Sequence, residues 1–322
     1  MHREARRDAV TGQLVQFSEE VAAALADGSP VVALETTIVA HGFPPGEGIA
    51  VGRECEERVR GGGAVPATVG VLDGAVRIGL SSAELERVAA AGTEARKAGP
   101  RDLAVCATQR AVGATTVGGT LAASRLVGVR VVATGGIGGV HRGWTERPDV
   151  SADLAELARS EAVVVCSGVK SLLDVPATAE ALELLGVPLL GWRTDELPLF
   201  YTATGGPPVS ARIESAADAA DIALTHWRLG RNGLVVTRPP EDGLDDVEPL
   251  IAEALREASE RRIEGQAVTP FVLAYLHDRS DGETLRVNRR LVADNASLAA
   301  EIAAELSRGA GAAAAGGSAS PR

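Results

Sequence analysis

The sequence predicts an α/β protein: a three-layer α/β/α sandwich around a mostly parallel sheet, in a single domain with elaborations. Short apolar runs alternate with helix-like segments along most of the chain, and this alternation is typical of βαβ units. Apolar residues make up 45% of the 322 residues, but aromatic residues only 3%. A core of Val, Leu, Ile and Ala is typical of parallel sheets that helices cover.

The individual elements follow from local patterns. Apolar runs predict strands at residues 31–40, 67–72, 75–80, 103–107, 129–134, 162–166 and 188–192. Asp73-Gly74 lies between the second and third runs and favours a two-residue hairpin turn. Ser81 and Glu84 have the spacing of a capping box at a helix start. Helical patterns predict helices at 49–60, 82–91, 115–127, 152–159, 177–185, 214–229, 245–258 and 290–306.

The ends of the chain differ from its centre in composition. Residues 1–12 are polar, and residues 308–322 are rich in Ala, Gly and Ser. Both ends are therefore expected to be disordered, with one domain over residues 13–307.

Charge and targeting signals exclude several classes of function. A net charge of −11 argues against nucleic acid as a partner. No apolar run reaches about 18 residues, so no membrane span is expected. The charged N-terminus lacks the apolar segment of a signal peptide, and an odd number of cysteines without zinc spacing suits reduced thiols. These features predict a cytoplasmic protein with a small-molecule substrate.

Lys170 follows the apolar run VVVC and is the first candidate for chemistry. A lysine at the end of a buried strand is unusual, because its ammonium group prefers water. It can be structural, paired with a carboxylate. Alternatively, burial or a neighbouring cation lowers its pKa, and only the neutral amine can attack a carbonyl-level carbon and form a Schiff base.

Glu35 interrupts the apolar run VVALETTIVA. A carboxylate inside a buried strand is unfavourable unless it is hydrogen-bonded, metal-bound or protonated. An apolar environment would raise its pKa and suit it to act as a general acid. The alternative is a structural carboxylate that is bonded to Thr36, Thr37 or an arginine.

Asp149, Ser151 and Asp153 form a second acidic segment. Ser151 can cap a helix and place Asp153 in its first turn, which would account for both residues structurally. In the functional alternative, Asp149 holds a hard divalent cation through one carboxylate and several waters.

Glycines at 135, 136, 138 and 139 allow close approach of a ligand to the backbone. The pattern is not GxGxxG, so dinucleotide binding is not expected, whereas a phosphate cradle is. His141 and Arg142 would add donors, and Lys97 would add positive charge unless it is only a solvated lysine at a helix end.

Several segments in a fixed order resemble the pseudouridine-5′-phosphate glycosidase family (pseudouridylate synthase). The resemblance covers about residues 14–307. The segments are ALETTIVAHG at 33–42, GAVPATVGVLDG at 63–74, GATTVGGTL at 113–121, ATGGIGGVHRG at 133–143, DVSADL at 149–154, SGVKSLLD at 167–174, GVPLLGW at 186–192, TPFVLAYL at 269–276 and DNASLAAEIA at 294–303.

The resemblance implies a role for each matching residue. Glu35 would be the proton donor, Lys170 the nucleophile and Asp149 the ligand of one Mn²⁺ per subunit. It implies an α/β/α sandwich, usually a homotrimer. The implied substrate contacts are Lys97, Val117, Ser151, Ala152 and Asp153, with further contacts from His141 and Asn295.

The reaction implied by the resemblance joins or separates uracil and ribose 5-phosphate through a carbon–carbon glycosidic bond, as a lyase. A neutral lysine can capture the opened sugar as an imine, and a buried acid can supply the proton. Two alternatives remain open: another lysine-dependent sugar-phosphate lyase or aldolase, and a non-catalytic sugar-phosphate sensor.

Overall fold

The structure is a computed structural model that describes residues 14–146, 148–244 and 247–316. Within these residues, thirteen strands occur: β1 (Val15–Phe17), β2 (Val31–Leu34), β3 (Val65–Leu72), β4 (Ala75–Ile78), β5 (Arg96–Ala98), β6 (Gly113–Thr115), β7 (Val131–Ala133), β8 (Val140–His141), β9 (Val163–Cys166), β10 (Leu173–Asp174), β11 (Leu189–Trp192), β12 (Ala211–Ile213) and β13 (Leu234–Thr237).

The same part of the chain forms twelve α-helices. They are α1 (Glu19–Asp27), α2 (Thr37–His41), α3 (Gly48–Gly61), α4 (Ser82–Ala91), α5 (Leu103–Gln109), α6 (Val117–Val127), α7 (Ala152–Leu157), α8 (Val175–Leu184), α9 (Ala216–Arg228), α10 (Glu248–Glu260), α11 (Val268–Arg279) and α12 (Glu283–Gly316).

One mostly parallel sheet organises the fold. Its strands run in the order β1-β4-β3-β2-β7-β9-β13-β11-β12, with β6 also paired to β3 and β5 paired to β6. All pairs from β3–β2 to β11–β12 are parallel, whereas β3 pairs antiparallel with β4 and β6. Helices cover both faces, which confirms the predicted α/β/α sandwich.

The long helix α12 lies over the centre of the sheet. It contacts β2, β7 and β9 and packs against α3 and α9, while α6 packs against α7. The buried strands supply aliphatic side chains almost without a break, as at β9, where Val163, Val164 and Val165 are wholly buried. The core is therefore the aliphatic core that the composition predicts.

Three predictions of local structure are wrong. The predicted strand at 31–40 ends at Leu34 because its pairing with β3 and β7 ends there, and Thr37–His41 is helical. The apolar run 103–107 is helical because its buried residues, Leu103, Cys106 and Ala107, have helical spacing. The helix α12 continues through residues 308–316, where alanines favour helix. Residues 1–12 and 317–322 lie outside the described residues.

Two local predictions are confirmed. The antiparallel pair β3–β4 turns at Asp73 and Gly74, both with positive φ. The capping box of Ser81 and Glu84 opens α4, and both of its reciprocal hydrogen bonds are present. Among the described residues, no helix is long and apolar enough to cross a membrane.

Candidate active site

Glu35 is the first residue after β2 and is only 4% exposed. One carboxylate oxygen accepts a hydrogen bond from the Thr37 hydroxyl, and the other accepts one from the Thr134 hydroxyl. Thr37 opens α2, and Thr134 follows β7, the strand paired with β2. The carboxylate is thus held at the carboxyl edge of the parallel sheet, where ligands of α/β folds usually bind.

Lys170 lies beyond the neighbouring strand β9, in a loop that is bonded to the glycine loop after β7. The Ile137 amide donates to the Gly168 carbonyl, and the Lys170 amide donates to the Ile137 carbonyl, both at 3.1 Å. Gly168 has a φ of +90°, and a Cβ there would lie 2.0 Å from the Pro198 carbonyl oxygen. A glycine is therefore required for the turn that places Lys170 at the edge of the sheet.

Lys97 approaches the same place from β5. Burial lowers the pKa of Lys97 below its usual value, and the positive charge of Lys170 lowers it further. Lys97 and Lys170 are the only two lysines among the 32 basic Lys and Arg residues of the sequence. This unequal use of lysine and arginine is a signal in the sequence that could have linked the two residues directly.

A single cleft brings Glu35, Lys97 and Lys170 together. Sequence reasoning missed several other residues that line it, including His41, Phe200 and Asn288. Phe200 has a φ of +67°, an uncommon conformation for a bulky residue, and its ring packs against Gly136, whose Cβ would lie 2.6 Å from it.

His141 and Asp149 lie beside the lysines. Burial lowers the pKa of His141, and the charge of Asp149 opposes this effect. Nδ1 of His141 lies 3.9 Å from a carboxylate oxygen of Asp149. The described residues contain no cluster of three or more His, Cys, Asp or Glu that could hold a metal ion. One half-exposed carboxylate fits a cation that keeps most of its waters, as Mg²⁺ and Mn²⁺ can.

Asp153 is 3% exposed and has its charge satisfied by the protein backbone. One carboxylate oxygen accepts from the Gly118 amide at 2.7 Å, and the other accepts from the Gly138 amide at 2.8 Å. Asp153 therefore ties the first turn of α6 to the glycine loop. Ser151 caps α7 by accepting from the Asp153 amide at 3.2 Å, as its position in the sequence predicts.

The glycine loop is used largely for packing. A Cβ on Gly138 would lie 2.3 Å from the Ser151 hydroxyl, and one on Gly139 would lie 2.3 Å from the Thr178 hydroxyl. The amides of Ile137 and Gly138 are bonded within the protein. These two amides are therefore not free to bind a phosphate, whereas Gly135 and Gly136 line the cleft, and the phosphate cradle stays a prediction.

Four other predicted contact residues differ in exposure. Ala152 is exposed and Ser151 is partly exposed, whereas Val117 is wholly buried at the start of α6. Asn295 is also wholly buried, and its Nδ2 donates to the Thr134 carbonyl at 2.9 Å and to the Ser167 hydroxyl at 3.1 Å. Asn295 thus supports Thr134, which in turn bonds Glu35. Direct substrate contacts from these four residues stay predictions.

The fold and the cleft define a class of protein: an α/β/α sandwich with two lysines and a buried carboxylate at the carboxyl edge of its parallel sheet. Residues 20–305 match the family model described as "Indigoidine synthase A like protein". The chain therefore belongs to this family.

Curated relatives cover nearly the whole chain. A protein of Caldanaerobacter subterraneus subsp. tengcongensis is 44% identical over 301 residues, or 92% of this chain and 98% of the relative. A protein of Streptomyces griseus subsp. griseus is 49% identical over 293 residues, or 89% and 90% of the two chains. Both are named pseudouridine-5′-phosphate glycosidase.

Two solved structures have the same fold. The prealnumycin C-glycosynthase AlnA, in complex with ribulose 5-phosphate, has a TM-score of 0.85 and 37% identity, covering 93% of this chain and 99% of AlnA. An indigoidine synthase A-like protein of Thermotoga maritima has a TM-score of 0.82 and 39% identity, covering 92% and 97% of the two chains.

Proposed function

We propose that this protein is a pseudouridine-5′-phosphate glycosidase, an enzyme of the lyase type. It cleaves pseudouridine 5′-phosphate reversibly to uracil and ribose 5-phosphate. The observation that carries this proposal is the meeting of Lys170, Lys97 and Glu35 in one cleft, in a chain 44% identical to a relative of that name.

The chemistry must break a bond between two carbons. Protonation of the ring oxygen by Glu35 lets the C1′–O4′ bond break, with electrons supplied from N1 of the base. The Lys170 amine then adds to C1′ and returns a proton to Glu35. Glu35 then gives this proton to uracil C5, and the C1′–C5 bond breaks as the lone pair of the Lys170 nitrogen forms an iminium with C1′. Water adds to the iminium and releases ribose 5-phosphate and the free amine.

Two threonines suit Glu35 to this repeated proton transfer. The hydroxyls of Thr37 and Thr134 bond both carboxylate oxygens, so the group keeps one orientation through each transfer. Hydroxyls can donate to the carboxylate or accept from the acid form. Preorganised partners of this kind reduce the rearrangement needed at the moment of reaction.

The remaining contacts follow from charge and position. Lys97 and His141 would bind the phosphate or ribose, with Val117, Ser151, Ala152 and Asp153 around them. Asp149 would hold one Mn²⁺ through its carboxylate and several waters, and that ion, when bound, supplies positive charge that orders water and substrate. A chelator is expected to suppress activity, and added Mn²⁺ to restore it. Full activity in a demonstrably metal-free sample would remove Asp149 from this role.

We also propose that the protein acts in the cytoplasm as a homotrimer, as the family resemblance implies. Cys55, Cys106 and Cys166 are all free and buried, which suits a reducing compartment. Light scattering after size-exclusion chromatography tests the trimer, and a mass equal to a single chain would exclude it.

Direct synthesis tests the proposed reaction. Purified protein is incubated with ribose 5-phosphate and uracil, and the products are separated and identified by mass and absorbance. Formation of pseudouridine 5′-phosphate is expected. An aldolase-type enzyme would instead bind ribose 5-phosphate without responding to uracil, and a sensor would bind it with no product.

AlnA favours a second candidate function. Its name describes a C-glycosynthase, and it is 37% identical to this chain. The same lysine and carboxylate could form a carbon–carbon bond between a sugar phosphate and a different electron-rich ring. Turnover of a polycyclic phenol with no turnover of uracil would favour this candidate.

A further inference from the structure

Arg142 follows β8 in the glycine-rich segment, where the sequence suggests a donor for a phosphate. In the structure its guanidinium makes four hydrogen bonds within the protein. Nε donates to the Leu173 carbonyl at 3.3 Å, and one terminal nitrogen donates to the Ser171 carbonyl at 2.8 Å. The two terminal nitrogens also donate to the two carboxylate oxygens of Glu248, at 2.6 and 3.1 Å. A guanidinium has five N–H donors, so little of this group is left for a ligand.

Both carbonyl acceptors belong to the turn that begins at Lys170. The Leu173 amide donates to the Lys170 carbonyl at 2.9 Å and closes this turn. Leu173 also pairs with His141 on β8, the residue before Arg142. The guanidinium therefore binds the turn from the neighbouring strand. Its hydrogen bonds are charge-assisted and so are stronger than those of a neutral donor.

Lys170 is thus held on both sides along the chain. On its N-terminal side, the Ile137 amide donates to the Gly168 carbonyl, and the Lys170 amide donates to the Ile137 carbonyl. On its C-terminal side, Arg142 holds the turn. An amine that must reach one carbon atom of a bound sugar needs this support, because a misplacement of about 1 Å can lower the rate of a reaction roughly a hundredfold.

We propose that Arg142 is a positioning residue for Lys170: by binding two carbonyls of the turn, it holds the amine where it can reach C1′ of the opened sugar. This inference rests on the proposed function and adds to it the group that supports the nucleophile. Arg142 acts through the turn and touches neither sugar nor base. Its ion pair with Glu248 is secondary, because the Glu248 side chain is 65% exposed and exposed pairs contribute little.

Separate kcat and KM values in the synthesis reaction distinguish this role from phosphate binding. In Arg142→Met, kcat is expected to fall roughly ten- to hundredfold, while the KM for ribose 5-phosphate stays within about threefold. Arg142→Lys should lose nearly as much, because an ammonium group lacks the planar fork that reaches both carbonyls and Glu248 at once. A raised KM for ribose 5-phosphate with unchanged kcat, largely restored in Arg142→Lys, would overturn the proposal in favour of a phosphate contact.

Chemical rescue tests the contact itself. The Arg142 side chain is 35% exposed, so a guanidinium ion from solution can enter the space left in Arg142→Ala. Guanidinium chloride, well below the concentrations that unfold proteins, is expected to raise the kcat of this variant several-fold. Sodium chloride at equal ionic strength should not, because a sodium ion cannot donate hydrogen bonds to the carbonyls. Equal effects of the two salts on the folded variant, as judged by circular dichroism, would overturn the proposal.

Two further variants separate the turn from the other contacts of an arginine. Glu248→Gln removes the ion pair and leaves both carbonyl bonds, so kcat should stay within about threefold of wild type. Arg87→Met is the matched control, because Arg87 also donates two hydrogen bonds to one surface carboxylate, that of Asp73, and it should change neither kcat nor KM. A loss of kcat in Glu248→Gln as large as in Arg142→Met would assign the effect to α10 and overturn the role in the turn.

The two proposals can fail separately. Wild-type protein that makes no pseudouridine 5′-phosphate from uracil would remove the proposed function and this inference with it. Wild-type synthesis together with an unchanged kcat in Arg142→Met would remove the inference alone.

Discussion

Two neighbouring regions at the carboxyl edge of the sheet differ in whether their charged groups have compensating partners within the protein. In the cleft, burial lowers the pKa of Lys97, and the positive charge of Lys170 lowers it further. In the second region, the Asp153 clamp (Asp153 with the amides of Gly118 and Gly138), the buried carboxylate has a backbone donor on each oxygen.

The difference separates polar groups whose hydrogen bonds are made within the protein from polar groups that can still bind a ligand. A carboxylate with two amide donors is fully compensated and stabilises the local structure. Within the described chain, Lys97 and Lys170 have no such partners, so the desolvation of Lys97 is unfavourable until a substrate supplies negative charge or hydrogen bonds. Substitutions should therefore affect activity in the cleft and stability in the clamp.

The largest effect is expected for Lys170. Lys170→Arg keeps the positive charge but removes the amine that we propose as the nucleophile, so kcat/KM should fall by roughly a thousandfold or more. Lys97→Arg is the matched control, because it keeps the charge that a phosphate needs and should act mainly on KM. Steady-state kinetics on both variants measure this, and wild-type turnover in Lys170→Arg would contradict the mechanism.

In the clamp, Asp153→Asn should lower the free energy of unfolding by about 2–3 kcal/mol, since it turns an amide group toward a backbone donor. Denaturant unfolding measures the change. Asp174→Asn is the matched control, because Asp174 caps α8 near the surface and Asn caps equally well. A raised KM for ribose 5-phosphate with unaltered stability would instead show that Asp153 contacts the substrate.

A smaller loss is expected for Gly138→Ala, about 1–3 kcal/mol, because the added methyl group meets the Ser151 hydroxyl and the Asp153 carboxylate. Gly61→Ala at the end of α3 should have almost no effect, since nothing lies within 4 Å of its Cβ position. Thermal unfolding of the two variants gives the comparison. Equal melting temperatures would mean that the loop adapts and that its glycines are not needed for packing.

The smallest effect concerns pH. The pKa of Lys97 is lowered in the folded protein, so between that value and the usual lysine pKa only the unfolded chain holds the proton. Stability contributed by this group therefore rises with pH across that window. Lys97→Met should show a weaker rise than wild type in unfolding experiments at increasing alkaline pH. Identical slopes for the two proteins would indicate that Lys97 is not desolvated.

The sequence was sufficient for the fold class and for the residues of the cleft that carry charge. Aliphatic runs with little aromatic content predict a covered parallel sheet, and a lysine or glutamate beside such a run stands out. The sequence did not distinguish helix from strand at residues 103–107. This run is apolar enough for a strand, and only the positions that are buried in the structure show the helical period.

The site residues that escaped prediction depend on contacts between distant segments. Asn288 lies in a helical stretch where an asparagine is unremarkable, and only the fold brings it to Glu35 and Lys170. The glycine loop suggested a phosphate cradle because glycine permits close approach of any group. In the structure the groups nearest to Gly138 and Gly139 are Ser151, Thr178 and the Asp153 carboxylate, and the Phe200 ring lies against Gly136.

Borohydride trapping can detect a covalent imine between Lys170 and the sugar phosphate. The protein is incubated with ribose 5-phosphate, reduced, digested and mapped by mass, with and without uracil. Because Lys97 and Lys170 are the only lysines in the sequence, the modified side chain can be assigned without ambiguity. If Lys170 is the nucleophile, we expect a reduced adduct on Lys170 that diminishes when uracil is present. An adduct on Lys97 alone, or none in folded protein, would contradict this role of Lys170.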